Sequence, residues 1–336
     1  MSEKLLEVNN LETHFFLKRG VARAVNGVSF RVNRGEVLGL VGESGCGKSV
    51  TAMSILGLVP SPPGRIVGGE IVFYQRDESG REEKVDLAKL SRNELRAYRG
   101  KRIAVVLQDP MTSLNPVFSI GNQVSEIFRQ HEHLKGPELL AKVIEVLERV
   151  RIPNPEMRIK SYPHQFSGGM RQRVSMAMGI GCHPQLLIAD EPTTALDVTI
   201  QAQLLKLLEQ IQMEYGMAII LITHNLGIIA RLCDRVCVMY AGRIVEQGAA
   251  RRIFKDPLHP YTKALMDSVP RLGLKAKTLS SIEGQPPNLL HLPPGCSFQP
   301  RCVLADEQCK AAYPPVTLID EENYVRCWKF NGGKVQ

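Results

Sequence analysis

Short apolar runs alternate along this chain with turn signals and amphipathic stretches. Leu5–Val8, Val25–Val32 and Val37–Val41 read as strands, with Asn33-Arg34-Gly35 as the turn before the third. A glycine-rich loop follows at once, then a helical stretch from Lys48 to Leu58, stopped by Pro60, Pro62, Pro63 and Gly64. Ile71–Tyr74 and Ile103–Leu107 are further strands, separated by a charged segment. From Pro137 to Arg151 apolar residues recur at helical spacing (Leu139, Leu140, Val143, Ile144, Leu147), which predicts an amphipathic helix. Gln185–Ala189 and Ala218–Thr223 are unbroken apolar strands on either side of a helix over Ile200–Tyr215. Their lack of alternation suits a parallel sheet covered on both faces. Leu226–Cys233 is helical, and Val236–Tyr240 with Arg243–Gln247 forms a hairpin about Ala241-Gly242. The pattern is α/β. Beyond about Pro257 it gives way to Pro, Gly and Cys, which puts a domain boundary near 257–272.

Composition narrows the classes. The 336 residues, 44% hydrophobic and 23% charged, can bury a sizeable core. No apolar run approaches the ~20 residues that span a bilayer. Glu3, Lys4 and Glu7 interrupt the N-terminal segment, so no signal peptide is expected and a cytosolic chain is. The net charge of +8 is scattered, with no dense basic run. That suits an anionic ligand or a membrane face better than nucleic acid.

Three segments carry candidate chemistry. GESGCGKS (Gly42–Ser49) fits G-x-x-x-x-G-K-[ST] between a buried strand and a helix. Gly42, Ser44, Gly45, Cys46, Gly47 and Val50 belong to the curl of backbone N–H groups and the helix start. Lys48 brings a point charge for β/γ-phosphate oxygens and Ser49 a hydroxyl for Mg²⁺. LLIADEP (Leu186–Pro192) ends an apolar strand in two carboxylates, Asp190 for the magnesium shell and Glu191 as general base. In FSGGMRQR (Phe166–Arg173), Ser167 is an N-cap candidate, Gly168 and Gly169 allow close backbone approach, and a helix runs from Met170.

The order of GESGCGKS, Gln108 in VVLQDP, FSGGMRQR, LLIADEP, TALD (Thr194–Asp197) and THN (Thr223–Asn225) resembles the ABC ATPase cassette over about residues 5–255. The resemblance implies a P-loop fold with a RecA-like parallel-sheet core, an antiparallel β subdomain and a helical subdomain near 109–183. It further implies that Ser167, Gly169 and Gln172 of one subunit face the γ-phosphate held by a partner's Lys48. Gln108 then senses magnesium and the attacking water, Glu191 activates that water, His224 contacts the γ-phosphate, and Asp197 joins the two sites. Phe15 aligns with the adenine-stacking aromatic, with Phe16 beside it. Asn225 stands where the family usually has Asp.

DPLHPYTKALMDSVP (Asp256–Pro270) and GQPPNLLHLPPGCSFQPRC (Gly284–Cys302) resemble the extension of dipeptide and oligopeptide importer ATPases. By residue chemistry alone, His259-Pro260-Tyr261 is a turn opening a helix. Cys296, Cys302, Cys309 and Cys327 follow C-x5-C-x6-C-x17-C, without the tight knuckle usual for zinc. The expectation is a [4Fe–4S] cluster, with Zn²⁺ as the alternative, on an extension spanning 257–336 after a cassette of 1–256. The resemblance implies two integral-membrane permease subunits, a second and paralogous ATPase, a peptide-binding protein upstream, and a place on the cytoplasmic side of the inner membrane. Helical segments between Gln108 and Ser167, notably 115–128, would dock on the permeases. Nickel or another small solute stays open as cargo.

Overall fold

The computed structural model describes residues 3–76, 81–109, 113–194, 196–268 and 282–330. The fold is mixed α/β, and its contacts divide into two units interleaved in sequence. One comprises residues 1–5, 33–36 and 89–222; the other comprises 6–32, 37–88 and 223–336.

In the second unit, β1 (Lys4–Leu17) and β2 (Gly20–Asn33) are 14-residue strands, much longer than their apolar stretches alone predict. Within the second of these, Val28, Phe30 and Val32 are buried while Gly27, Ser29 and Arg31 between them are half-buried. β3 (Val37–Val41) precedes the glycine-rich loop. β4 (Gly64–Arg76) pairs antiparallel with β1 and with β5 (Glu82–Asp86), giving the order β2-β1-β4-β5. β5 reads EEKVD, too polar for a hydrophobic pattern to find, and its charges suit a sheet edge.

The first unit contains three parallel strands, β6 (Ile103–Val106), β7 (Leu186–Asp190) and β8 (Ala218–Ile222), paired in that order. β7 and β8 are buried at every residue, as their unbroken apolar runs require. The amphipathic helix is Gly136–Arg149, and it buries Leu139, Val143, Val146 and Leu147, whereas Leu140 faces outward. It stops short of Arg151, which takes a φ of 59°. The helix expected around 115–128 begins instead at Ile120, capped by Ser119, and runs to His131.

Back in the second unit, β9 (Arg235–Tyr240) runs parallel to β3, and β10 (Arg243–Ala249) closes the expected hairpin. The residues beyond 256 do not separate as a unit of their own. β12 (Tyr324–Val325) pairs with β10 and with β11 (Thr317–Leu318), so the extension continues this sheet. These two-residue strands are too short to leave a sequence period.

Glu246 on β10 anchors the start of the extension. Its fully buried carboxylate accepts from the main-chain N–H groups of Leu258 (3.0 Å) and His259 (2.9 Å) and from Arg252 Nη1 (2.9 Å). His259 then caps the helix Pro260–Asp267, its Nδ1 accepting from the Tyr261 N–H at 3.0 Å. The turn opening a helix is therefore observed. Burial holds this imidazole neutral, its pKa lowered to about 3, while a bond to the Arg326 main chain works weakly the other way. Glu246→Ala strips the acceptor from the Leu258 and His259 N–H groups and one of several acceptors from Arg252, and should cost roughly 3–5 kcal/mol. Glu322→Ala, at a half-exposed pair with Arg31, should cost about 1 kcal/mol or less. Urea titrations of the two variants compare these costs; equal midpoints would contradict the anchoring role.

Candidate functional site

The glycine-rich loop lies in the second unit, and its curl is imposed from outside. A Cβ on Gly42, at φ 151°, would sit 2.2 Å from the Met239 carbonyl oxygen; one on Gly47, at φ 108°, would sit 2.2 Å from that of Ala24. No side chain fits at either place. Gly45 has a φ of 77° yet faces open space. Lys48 is buried, and Nζ donates to the carbonyls of Gly42 (2.8 Å) and Glu43 (3.0 Å). Cys46 is buried beside it, and burial pushes that thiol up while the Lys48 charge opposes. Ser44, Gly45 and Ser49 are exposed and Val50 is half-buried, so the hydroxyl of Ser49 opens to solvent at the first turn of the helix Lys48–Ile55. The residues fit an anion: a ring of main chain, an ammonium, a helix start and no room for side chains at two of its glycines.

The same unit holds His224, exposed after buried Thr223. Asn225 caps the helix Leu226–Leu232, its Oδ1 accepting from Gly227 N at 3.0 Å, a task Asn and Asp do about equally well. The departure from the family's usual Asp is therefore structurally quiet. Phe15 is half-buried on β1 opposite Gly64, while Phe16 is 41% exposed under the Arg65 guanidinium at 4.2 Å.

The first unit holds the acid–base candidates. Asp190 ends β7 and is buried. Glu191 takes a φ of 45°, rare for a side-chain-bearing residue, and its N–H donates to the Ile222 carbonyl at 2.8 Å. Glu191 Oε2 accepts from Gln108 Nε2 and from Thr194 Oγ1, both at 2.9 Å. Gln108 and Glu191, far apart in sequence, are thus brought together. Thr194, quoted only as part of TALD, was the residue missed, and its spacing of three from Glu191 was the available signal.

Ser167 caps the helix Gly168–Ile180 by accepting from Met170 N at 3.3 Å, and Ser167 and Gly168 are exposed there. Gly169 is half-buried and closes against Ile200. Gln172 is 2% exposed, and its Nε2 is buried without a hydrogen-bond partner among the described residues. Asp197 is an N-cap, its Oδ1 accepting from Ile200 N at 2.9 Å at the head of the helix Val198–Tyr215.

The four late cysteines share a neighbourhood. Cys296 N donates to the Cys309 carbonyl at 2.8 Å, and burial, reinforced by the neighbouring thiols, pushes Cys296 and Cys327 up to about 11. Cys302 and Cys309 are raised by burial too. Among the described residues, however, no three His, Cys, Asp or Glu side chains are arranged to hold a metal ion. The expected ligand set stands as neutral thiols side by side, not as a formed metal site.

Comparison with known proteins gives the setting. Residues 25–194 match the ABC transporter family model, and residues 245–309 match the oligopeptide/dipeptide transporter C-terminal region. The chain is 49% identical to the probable peptide ABC transporter ATP-binding protein y4tR of Sinorhizobium fredii, covering 98% of this chain and 96% of the relative. It is 47% identical to the dipeptide transport ATP-binding protein DppD of Bacillus subtilis, over 97% and 95% of the two chains. It is also 47% identical to the oligopeptide transport ATP-binding protein OppD of Haemophilus influenzae, over 97% and 99%. Among solved structures, a dimeric post-hydrolysis state of the ATP-binding cassette MJ0796 superposes with a TM-score of 0.63 at 22% identity, covering 73% of this chain and 99% of that one. That likeness speaks to fold alone.

Two glycines of the loop separate steric from conformational cost. Gly47→Ala should lower affinity for a fluorescent ATP analogue by about a hundredfold or more, because its Cβ meets a carbonyl. Gly45→Ala should cost only about 1–2 kcal/mol of left-handed strain. Equal losses would show that the carbonyl contacts do not shape the loop.

Proposed function

This chain belongs to the ABC transporter ATP-binding family, and we propose that it is the ATP-hydrolysing subunit of an importer of di- and oligopeptides. The observation that carries the chemistry is the Glu191 carboxylate held by Gln108 and Thr194 at the end of a buried strand. The cargo reading is supported by the matched C-terminal region and by relatives named for peptide, dipeptide and oligopeptide transport.

On this reading Lys48 offers its ammonium to the β/γ-phosphate oxygens, exchanging the carbonyls of Gly42 and Glu43 for the ligand. Ser49, Gln108 and Asp190 would hold Mg²⁺, which would supply neutralisation of phosphate charge when bound. Glu191 takes a proton from the attacking water, and Gln108 orients that water. His224 donates to the γ-phosphate. Ser167, Gly168, Gly169 and Gln172 serve the nucleotide held by a second, paralogous cassette. Phe15 or its more exposed neighbour Phe16 stacks on adenine. Two permease subunits receive the motion and a peptide-binding protein delivers cargo, with this subunit peripheral on the cytoplasmic face of the inner membrane. Among the described residues, no helix is long and apolar enough to cross a membrane. In the reconstituted complex, Glu191→Gln should bind ATP normally yet hydrolyse it about a hundredfold or more slowly. Wild-type turnover by that variant would remove the assigned base. Wild-type hydrolysis indifferent to peptide-loaded binding protein would remove the cargo.

We propose also that Cys296, Cys302, Cys309 and Cys327 hold a [4Fe–4S] cluster, with Zn²⁺ as the alternative. Four thiols in one neighbourhood, two of them raised to about 11, are a donor set that a cation would deprotonate and draw together. Its task would be to staple a segment poor in regular structure. Anaerobically purified protein should contain iron and acid-labile sulfide, both lost in Cys302→Ser. Zinc without iron, or no metal at all, overturns the cluster.

A further inference from the structure

The extension reaches the phosphate loop. Arg301 lies one residue before Cys302, and its side chain is 4% exposed. All five of its guanidinium N–H groups are used. Nη1 donates to Glu43 Oε2 (2.7 Å) and Nη2 to Glu43 Oε1 (2.9 Å), a two-pronged fork on one carboxylate. The remaining donors go to Tyr240 Oη (3.2 Å), the Ile282 carbonyl (3.1 Å) and the Glu283 carbonyl (2.9 Å). Glu43 is the second residue of the loop, and its own N–H donates to Tyr261 Oη at 2.8 Å. Tyr261 in turn packs with Tyr240 and Phe298, ring centroids 4.6 and 5.4 Å away. Three residues of the extension, Tyr261, Phe298 and Arg301, thus form a footing beneath one residue of the loop.

From this we infer that Arg301 is a positioning residue for nucleotide binding, acting through Glu43. The inference rests on the reading of residues 42–49 as the nucleotide site. The line of force is continuous: the fork fixes the Glu43 carboxylate, Tyr261 fixes its N–H, and its carbonyl accepts from Lys48 Nζ at 3.0 Å. Orientation of Glu43 therefore becomes orientation of the ammonium that meets phosphate. Loop order supplied beforehand is order the ligand need not impose. Charge adds a second effect of the same sign. A carboxylate one residue inside an anion site repels the incoming phosphates unless a cation neutralises it, and Arg301 is the cation bonded to it. Nothing in the motif G-x-x-x-x-G-K-[ST] asks for a glutamate at its second position. Here that glutamate is the handle by which the extension holds the loop.

The test is a cycle of variants of the full chain, read as the Kd for a fluorescent ATP analogue with thermal midpoints alongside. Arg301→Ala should weaken binding by about tenfold or more, losing both the order and the neutralisation. Glu43→Gln should weaken it less, because the charge left behind is positive. The double variant should recover part of the Arg301→Ala loss, since it removes the stranded carboxylate. A purely structural role for Arg301 predicts no such recovery. Affinity of Arg301→Ala within twofold of wild type, or losses that simply add in the double variant, overturns the inference. Should Arg301→Ala fail to fold, Arg301→Gln with and without Glu43→Gln carries the same comparison. Lys48→Ala serves as control: if it keeps nucleotide affinity, the site reading itself fails, whichever way the Arg301 series falls.

Discussion

Two main-chain carbonyls decide the shape of the glycine-rich loop. Met239 presses its oxygen against the place where Gly42 would carry a side chain, and Ala24 does the same at Gly47. The loop is folded back between them with positive φ at both glycines. β9 and β2 supply those carbonyls, so the loop's shape depends on two strands far apart in sequence. Lys48 is pinned within this curl by the carbonyls it can later release, a small reorganisation that a charged ligand can drive.

A different device places the acid–base pair. Adjacent carboxylates on a strand would ordinarily point to opposite faces. Here the backbone leaves the extended conformation between Asp190 and Glu191, and the strained residue is held by its N–H bond to Ile222 and by two side-chain donors. Strain retained by several independent bonds is what a site with a fixed geometry needs. In each unit helices begin on short polar caps, Ser167 and Asp197 in this one and Asn225 in the other. Each motif known from the sequence therefore also has a plain structural task, and chemistry is added to residues already needed for folding.

The extension is tied in by buried polar contacts more than by apolar mass. Glu246 gathers the main chain at Leu258 and His259, and the neutral imidazole of His259 starts the next helix. Val325, Cys327 and Phe330 form a small core of their own with Leu258 beside it. A segment of this kind gains little from hydrophobic burial, which is why its four thiols and its fork to Glu43 matter to its order.

Where pattern and spacing were strong, the sequence alone decided the outcome. Unbroken apolar runs gave β7 and β8, heptad-like spacing gave the helix Gly136–Arg149, and GESGCGKS announced its loop, because each is a local rule of backbone period or steric permission. Asp190, Glu191 and Gln108 were legible as candidates by residue type and order. The meeting of Gln108 and Thr194 at a single Glu191 carboxylate oxygen was not, since a hydrogen bond between residues 83 apart obeys no sequence period. The burial of Gln172 was hidden for a related reason: a motif fixes which residues stand at a helix start, and packing decides how far each one is covered. Charged β5, the two-residue strands β11 and β12, and the grip of Arg301 on Glu43 across 258 positions lay wholly with the tertiary structure. Edge pairing and long-range ion pairs draw their stability from partners that only folding brings near.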